Sequence, residues 1–414
     1  MYTSFRKDAD DIVEQAIRQV LPDRAVYRAL ENKDFGSGKL YVVSIGKAAW
    51  QMGRAAEAIL GDKIEKGIVI TKYDHVKGAI SHMACYEAGH PVPDENSFKA
   101  TEAVIRMAEG LRAEDTVIFL ISGGGSALFE SPLISGEELA DITGQLLACG
   151  ADIIEMNTIR KRLSAVKGGK FAKLAEPARM YCIVLSDILG DPLDMIASGP
   201  ACPDSSTCEE ALKIVRKYQL RLSEAAMECL KQETPKQLAH VETVITGSVR
   251  ELCTAAAEAA KKAGYEPVIL TDQLNCQAKE AGAFLASIAR TQAVKPKKNM
   301  AYIAGGETVV HLTGNGLGGR NQELALAAAE GISGLPDCAV FSFGSDGTDG
   351  PTDAAGGYVD GETKRILTER GIDIHDVLQK NDAYHALEIT NGLIITGATG
   401  TNVNDAAVLL VRRD

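Results

Sequence analysis

The sequence predicts an α/β protein with mostly parallel sheets. Short apolar, β-branched runs alternate with helix-forming segments along most of the 414 residues, and this alternation is typical of α/β folds. The helix-forming segments are rich in Ala, Glu and Lys, as at residues 254–263. Ligands of such proteins bind on the loops that follow the carboxyl ends of the strands. We therefore expect the functional residues on those loops.

The apolar runs also define the order of the predicted elements. They predict strands at residues 40–45, 67–71, 116–121, 181–186, 241–246, 267–270, 301–304, 309–312, 339–344 and 393–396. A polar stretch with Pro235, residues 231–240, is typical of a linker. We place the domain boundary there, with an N-terminal domain at residues 1–236 and a C-terminal domain at residues 237–414. A second polar segment, residues 295–299, is interpreted as a surface turn within the second domain.

The composition argues against several classes of protein. Lys and Arg number 44 and Asp and Glu number 56, a formal charge of −12, so a general nucleic-acid surface is not expected. No apolar run approaches the ~20 residues of a membrane span, and the first segment is an amphipathic helix rather than a signal peptide. The nine cysteines and seven histidines lack disulfide-framework and zinc spacing. We expect a cytoplasmic protein that binds neither nucleic acid nor membrane.

The loop after the first predicted strand carries a candidate anion-binding lysine. Gly46 is expected to make the strand-to-helix turn, with Lys47 in the first helical turn. A cation opposes the helix dipole there, at a cost of ~0.3–1 kcal/mol, unless an anion binds between the helix N-terminus and the ammonium group. An anion ligand is favoured over a surface lysine.

A glycine-rich loop follows the strand at residues 116–121. It consists of Ser122, Gly123, Gly124, Gly125 and Ser126. Successive glycines let backbone N–H groups converge on an anion without obstruction by Cβ atoms. The two serines add hydroxyl donors. We predict that this loop binds phosphate, although the chain has no Walker A motif.

Carboxylates follow two other predicted strands. Asp187 comes directly after the strand at residues 181–186, and Asp346 follows the strand at residues 339–344. Carboxylates in such positions suit a magnesium site or a base for a hydroxyl nucleophile. Turn-forming aspartates on a solvated loop are the alternative, and it applies about equally to the neighbouring acids.

A further glycine-rich segment allows two interpretations. Gly314, Gly316 and Gly319 match the G-x-G-x-x-G dinucleotide fingerprint after the predicted strand at residues 309–312. Against it, the following helix begins with Arg320 rather than a small residue. The nearest strand-end acid, Asp346, also lies farther along than ribose recognition requires. The planar fork of Arg320 instead suits a phosphate or carboxylate.

Together these loops contain the parts that phosphoryl transfer needs. Cations stand at helix starts, a Ser/Gly loop offers backbone N–H groups, and carboxylates stand at strand ends. In such reactions the protein positions the reactants and neutralises charge on the phosphoryl group, while Mg²⁺ bridges the phosphates. The chain has no G-x-S-x-G motif and no catalytic-cysteine signature.

The sequence resembles the type II glycerate 2-kinase family, whose C-terminal region is the MOFRL domain. The resemblance runs from about Ser44 to Asp405, and its segments include SIGKAAWQMGRAA, GHPVPDENS, FLISGGGSALFESP, MNTIRKRLSAVKGGKFAKLA, VLSDILGDPLDMIASGP, GGRNQELAL, GSDGTDG and ATGTNVND. The resemblance implies a Rossmann-like, mostly parallel N-terminal domain and a smaller mixed α/β C-terminal domain, with the active site in the cleft between them. It implies phosphorylation of D-glycerate at O2 with ATP and Mg²⁺, giving 2-phosphoglycerate and ADP.

The resemblance also implies site residues. The family active-site positions map to Lys47, Arg320 and Asp346, and Asp187 is a further candidate. We expect Lys47 and Arg320 to hold the phosphoryl group and the glycerate carboxylate. One of the two aspartates would act as the base, with the other near Mg²⁺. The loop from Ser122 to Ser126, together with Gly319, would bind the nucleotide.

Two other functions are kept open. The Gly314–Gly319 fingerprint suggests an NAD(P)-dependent hydroxypyruvate reductase, because glycerate and hydroxypyruvate are a redox pair. A non-catalytic nucleotide sensor fits less well, since the loops carry so many reactive groups. The residues alone decide neither the regiochemistry nor the oligomeric state.

Overall fold

The structure is a computed structural model that describes residues 4–293 and 298–412. The predicted turn at residues 295–299 lies largely outside these ranges. The helices are α1 (Phe5–Gln19), α2 (Pro22–Leu30), α3 (Ala49–Leu60), α4 (Glu95–Ala108), α5 (Gly125–Leu128), α6 (Gly136–Ala148), α7 (Ile153–Leu163), α8 (Lys170–Ala175), α9 (Cys208–Tyr218), α10 (Glu224–Leu230), α11 (Val249–Lys262), α12 (Ala278–Ala293), α13 (Arg320–Ile332), α14 (Thr363–Glu369), α15 (Ile374–Gln379) and α16 (Ala383–Ile389). The strands are β1 (Leu40–Ile45), β2 (Ile64–Lys72), β3 (Met83–Ala88), β4 (Thr116–Ile121), β5 (Arg179–Leu185), β6 (Val241–Gly247), β7 (Glu266–Leu274), β8 (Met300–Gly306), β9 (Cys338–Gly344), β10 (Gly356–Asp360), β11 (Leu393–Ile394) and β12 (Asp405–Val411).

The chain divides into two compact units. The N-terminal unit is Ala25–Thr246, and the C-terminal unit combines the described parts of Met1–Arg24 and Gly247–Asp414. The predicted limits, 1–236 and 237–414, differ from this division in two ways: the division falls at the end of β6, and α1 packs with the C-terminal elements. Packing explains the second difference, because Arg412 donates to the buried Asp8 carboxylate of α1 (2.6 Å). A polar linker alone could not reveal that contact.

The sheet of the N-terminal unit has the strand order β3-β2-β1-β4-β5-β6. The strand pairs from β3 through β5 are parallel. This is the order of the doubly wound dinucleotide-binding folds, in which the ligand lies where the strand order reverses. Here the reversal falls between β1 and β4, so the loops after these two strands flank the expected ligand position.

The sheet of the C-terminal unit is mixed. Its order is β11-β10-β9-β12-β8-β7, and only the β7–β8 pair is parallel. The fully buried strand β12 lies between β8 and β9 and pairs with both in antiparallel register. The α/β class is therefore confirmed for the chain, with one parallel and one mixed sheet.

Most predicted strands are present, and one is wrong. Residues 309–312 form no strand beyond a single bridge between Gln277 and Val309. Strands β3, β10 and β12 are present but were not among the predicted strands. Strand β3 alternates exposed and half-buried residues at the sheet edge, which gives it no apolar run, and β10 begins with two glycines. All nine cysteines are free, and no helix within the described residues is long and apolar enough to cross a membrane.

Candidate active site

The loop after β1 presents Lys47 where the strand order reverses. Gly46 turns the chain at φ +110°, and a Cβ there would lie 2.3 Å from the Ser122 Oγ, so only glycine fits. The Lys47 N–H donates to the Gly123 carbonyl (2.9 Å). Helix α3 begins at Ala49, so Lys47 precedes the helix rather than lying in its first turn as predicted. Its side chain is exposed and forms no ion pair within the described chain.

The glycine-rich loop after β4 is fastened to β1 through a serine. The buried Ser122 hydroxyl donates to the Ile45 carbonyl (3.1 Å) and accepts from the Ala48 N–H (3.1 Å). Its hydrogen bonds are therefore used within the protein, which leaves backbone groups as the loop's means of binding an anion. Ser126 is hydrogen-bonded to the Ser198 hydroxyl (3.0 Å).

Three side chains surround the first two glycines of this loop. A Cβ on Gly123 would lie 2.1 Å from the Asp187 Oδ2. A Cβ on Gly124, where φ is +86°, would lie 3.1 Å from the His90 Nε2 and 3.2 Å from the Lys47 Cγ. The structure thus brings together three of the predicted site features, Lys47, Asp187 and the glycine loop, and adds His90. We call Gly123 and Gly124 with these three side chains the glycine cradle.

A strained turn supports the other side of the loop. Ala197, Ser198 and Gly199 lie consecutively at φ +51°, +61° and +64°, and such conformations cost on the order of 1–3 kcal/mol for non-glycine residues. A Cβ on Gly125 would lie 2.7 Å from the Ala197 Cβ. Ser198 also donates to the Asn157 Oδ1 (3.1 Å). Strain of this kind clusters at functional sites, and these residues end the VLSDILGDPLDMIASGP segment of the resemblance.

The basic segment at residues 157–173 differs from expectation. From its charges alone this segment would be expected to form one helix with a mostly solvated face, but α7 and α8 are separate, and Lys161, Arg162 and Lys167 are buried. The Lys167 Nζ lies 2.8 Å from the Glu130 Oε2, and burial lowers the pKa of Lys167 to about 8. These charges are paired inside the unit, so they are structural rather than part of an exposed basic face.

We predict that Gly123→Ala lowers kcat/KM by at least about tenfold for the kinase reaction that the resemblance implies. The added methyl group would overlap the Asp187 carboxylate, and small displacements of reacting groups have large kinetic costs. Steady-state kinetics measures the effect. The matched control is Gly144→Ala in α6, where a Cβ meets nothing within 4 Å; it should keep full activity and gain up to ~1 kcal/mol of stability. Equal activities of the two variants would contradict this function of Gly123.

In the C-terminal unit, Arg320 begins α13 and is held by two carboxylates. Its Nε and Nη2 donate to Asp405 (2.5 and 3.1 Å), and its Nη1 donates to Glu307 (3.1 Å). Burial raises the pKa of the Asp405 carboxyl, and Arg320 opposes that shift. A guanidinium has five N–H groups, so two remain for another anion. No sequence pattern predicted Asp405 or Glu307 as site residues.

Asp346 lies beside this group. Its Oδ1 and the Asp405 Oδ1 are 3.3 and 3.4 Å from the position of a Cβ on Gly344. The Asp346 Oδ1 also accepts from the Thr348 N–H (3.0 Å). Among the described residues, no cluster of three or more His, Cys, Asp or Glu side chains could hold a metal ion. Asp187 and Asp346 belong to different units, so neither unit alone contains both predicted metal ligands.

The G-x-G-x-x-G segment does not form a dinucleotide site. No strand leads directly into it, since β8 ends at Gly306, and a Cβ on Gly314 would lie 2.4 Å from the Lys380 carbonyl oxygen, which accounts for that glycine by close packing. The Asp349 carboxylate accepts from the backbone N–H groups of Asn321 and Gln322 (3.1 and 2.9 Å). A protein carboxylate thus occupies the helix N-terminus that would bind a pyrophosphate, and Gly319 packs against it.

The buried Asp349 predicts a pH-dependent stability. Burial raises the pKa of Asp349 to about 6, against the opposing hydrogen bonds of Gln322 and Asn321. The folded state therefore binds this proton more tightly than the unfolded state, and stability decreases as pH rises through the window from about 4 to 6. Relative to Asp349→Asn, the free energy of unfolding of the wild type should fall by roughly 3 kcal/mol across that window. Urea denaturation at both pH values measures it; a difference independent of pH would contradict the assignment.

Comparison with known proteins finds two matching domain families and relatives that span nearly the whole chain. Residues 8–231 match a domain of unknown function, DUF4147, and residues 300–405 match the MOFRL family. A D-glycerate 2-kinase of Thermotoga maritima is 51% identical over 413 residues, covering 99% of each chain. A putative hydroxypyruvate reductase of Agrobacterium vitis is 38% identical, covering 99% of this chain and 95% of the relative.

A solved structure of a related protein has the same fold. The crystal structure of glycerate kinase from Thermotoga maritima superimposes with a TM-score of 0.95 at 51% identity, covering 98% of this chain and 99% of that one. Several motifs that carried the resemblance supply the residues of the glycine cradle and those around Arg320, among them Lys47, Asp187 and Asp405. The chain belongs to the type II glycerate 2-kinase family, with its DUF4147 and MOFRL domains.

Proposed function

We propose that this protein transfers the γ-phosphoryl group of ATP to O2 of D-glycerate, giving 2-phosphoglycerate and ADP. The observation that carries the proposal is the glycine cradle. An exposed lysine without an ion pair in the described chain, open glycine backbone and a carboxylate meet where the strand order reverses. Phosphoryl transfer requires such a positively charged, preorganised surface beside a potential base. The names of the full-length kinase relatives support the same substrate.

In this proposal the reaction uses groups of both units. The O2 hydroxyl attacks the γ-phosphorus, the bond to the β,γ-bridging oxygen breaks, and the hydroxyl proton passes to a carboxylate. We assign that carboxylate to Asp187, because it lies beside the glycines that Lys47 flanks. Lys47 and the two free N–H groups of Arg320 would hold the phosphoryl group and the glycerate carboxylate. That one cleft holds both cations stays a prediction.

The carboxylates of Asp346 and Asp405 are the candidate ligands of Mg²⁺ in the C-terminal unit. Mg²⁺ prefers oxygen ligands and usually retains waters and substrate phosphates beside one or two carboxylates. Asp346, with Asp405 near it, fits such partial coordination. The ion would neutralise phosphate charge when bound together with ATP. We therefore propose Asp346 as a metal ligand.

One pair of assays tests the function. The protein is mixed with D-glycerate, ATP and Mg²⁺ while ADP is followed, and in parallel with hydroxypyruvate and NADH while absorbance at the NADH band is followed. The proposal predicts ADP release that depends on D-glycerate, without NADH oxidation. NADH oxidation without ADP release would favour the reductase, and neither signal would favour a nucleotide sensor.

A further inference from the structure

His90 lies in the glycine cradle, but the proposed mechanism gives it no role. It lies on the loop between β3 and α4, and it is half-buried. Its Nε2 and Cδ2 are 3.1 and 3.0 Å from the position of a Cβ on Gly124, on the side where the Lys47 Cγ also lies. Within the described residues, the structure gives no hydrogen bond to either ring nitrogen. The ring therefore lies beside the Gly124 backbone, and the described residues offer neither nitrogen a hydrogen-bond partner.

The charges around His90 keep its imidazole neutral. Burial lowers the pKa of His90, and Lys47 and Lys72 lower it further. Asp94, on the same loop, uses its carboxylate to accept from the Tyr73 hydroxyl (2.6 Å) and other donors. Asp187 faces the neighbouring Gly123 rather than Gly124. A neutral imidazole has one N–H donor and one acceptor nitrogen, so His90 retains a donor at neutral pH.

We propose that His90 is a phosphate-binding residue, whose Nε2–H donates to a phosphoryl oxygen of the nucleotide held over Gly124 beside Lys47. The inference rests on the proposed kinase function for the identity of the phosphate. A glycine at position 124 leaves the space that a phosphoryl oxygen would fill between the Lys47 side chain and the imidazole. A donor without a protein partner beside a cation suits an anionic ligand, since the ligand would satisfy both.

Titration of His90 by NMR tests the contact directly. The wild-type protein with ¹⁵N-labelled histidine is titrated with pH alone and with saturating ADP. A phosphate in contact with the ring stabilises the imidazolium, so the pKa of His90 should rise by about one unit or more on adding ADP. His82, which lies near Asp62 at the other end of β3, should not shift. An unchanged His90 pKa with bound ADP would overturn the proposal.

Kinetics of two variants provide the second test. His90→Leu removes the donor, and we expect the KM for ATP to rise about tenfold or more. His90→Gln keeps an N–H near the Nε2 position and should restore the KM to within about threefold. Equal KM values for His90→Leu and wild type would overturn the proposal, as would equal impairment of both variants with unchanged thermal unfolding. If the wild type shows no kinase activity, the proposed function fails, and the ADP titration still tests His90.

Discussion

Replacing Lys47 with alanine is expected to lower kcat/KM for D-glycerate and ATP by a factor on the order of 10² or more. Lys47 is the exposed cation of the glycine cradle, and its backbone N–H is already bonded to Gly123 (2.9 Å). Loss of one electrostatic stabiliser of a transition state typically has an effect of this size. Because the ammonium group has no ion pair within the described chain, its removal should hardly change stability.

Lys66→Ala is the matched control for this prediction. Lys66 is an exposed lysine near the amino end of β2, away from the strand end where Lys47 lies. Its removal changes the net charge by the same amount, so any general electrostatic effect would be shared. We expect wild-type kinetics for the control. Near-wild-type turnover of Lys47→Ala would remove Lys47 from the mechanism.

The second large effect is expected for Arg320→Lys. The guanidinium spans both oxygens of Asp405 and reaches Glu307 with a third N–H. A lysine ammonium is a point charge that cannot bind bidentately, so the variant would leave the buried Asp405 poorly paired and the anion site without its fork. We predict a fall in kcat/KM of about 10²-fold, and a loss of stability of about 1–3 kcal/mol from the weakened buried pair.

Arg365→Lys supplies the comparison within the same unit. Arg365 is an exposed residue of α14 that pairs with Glu362 and Glu369, and exposed pairs of this kind contribute little. Kinetics and thermal unfolding of both variants are measured side by side. Arg320→Lys with the activity of Arg365→Lys would show that the fork is not used in binding, and a stability loss without a kinetic loss would make Arg320 purely structural.

The sequence predicted correctly those loops that directly follow a strand. The positions of β1 and β4, with Lys47 and the glycine loop after them, follow from apolar runs and glycines that are adjacent in the chain. The carboxyl ends of neighbouring parallel strands meet at one sheet edge, so their proximity could be predicted. The position of Asp187 could be predicted in the same way, because it follows β5, the strand next to β4.

Residues brought in by packing could not be predicted in this way. His90 reaches Gly124 from a loop that follows the edge strand β3, and the alternating exposure of β3 concealed that strand. Asp405 approaches Arg320 only because β12 lies beside β8 and β9, a strand order that the sequence does not state. The buried lysines of residues 157–173 have the composition of a solvated face, and only their carboxylate partners distinguish them.

The G-x-G-x-x-G segment is a sequence match that does not form the site its pattern predicts. Its spacing satisfied a dinucleotide motif, but the structure uses Gly314 to approach the backbone near Lys380 and uses Gly319 to admit the Asp349 cap. A motif of this kind has predictive value only when a strand precedes it and the helix N-terminus is free. Neither condition holds here, so the fingerprint does not support the reductase.

Proton-coupled ³¹P NMR of the reaction product shows whether the protein phosphorylates D-glycerate at O2. A phosphate on O2 of glycerate couples to the single proton on C2 and gives a doublet, whereas a phosphate on O3 couples to two protons and gives a triplet. With wild-type protein, D-glycerate, ATP and Mg²⁺, the account predicts a doublet that grows with the ADP signal and is nearly absent with Lys47→Ala. A triplet, or no new phosphate ester at all, would contradict it.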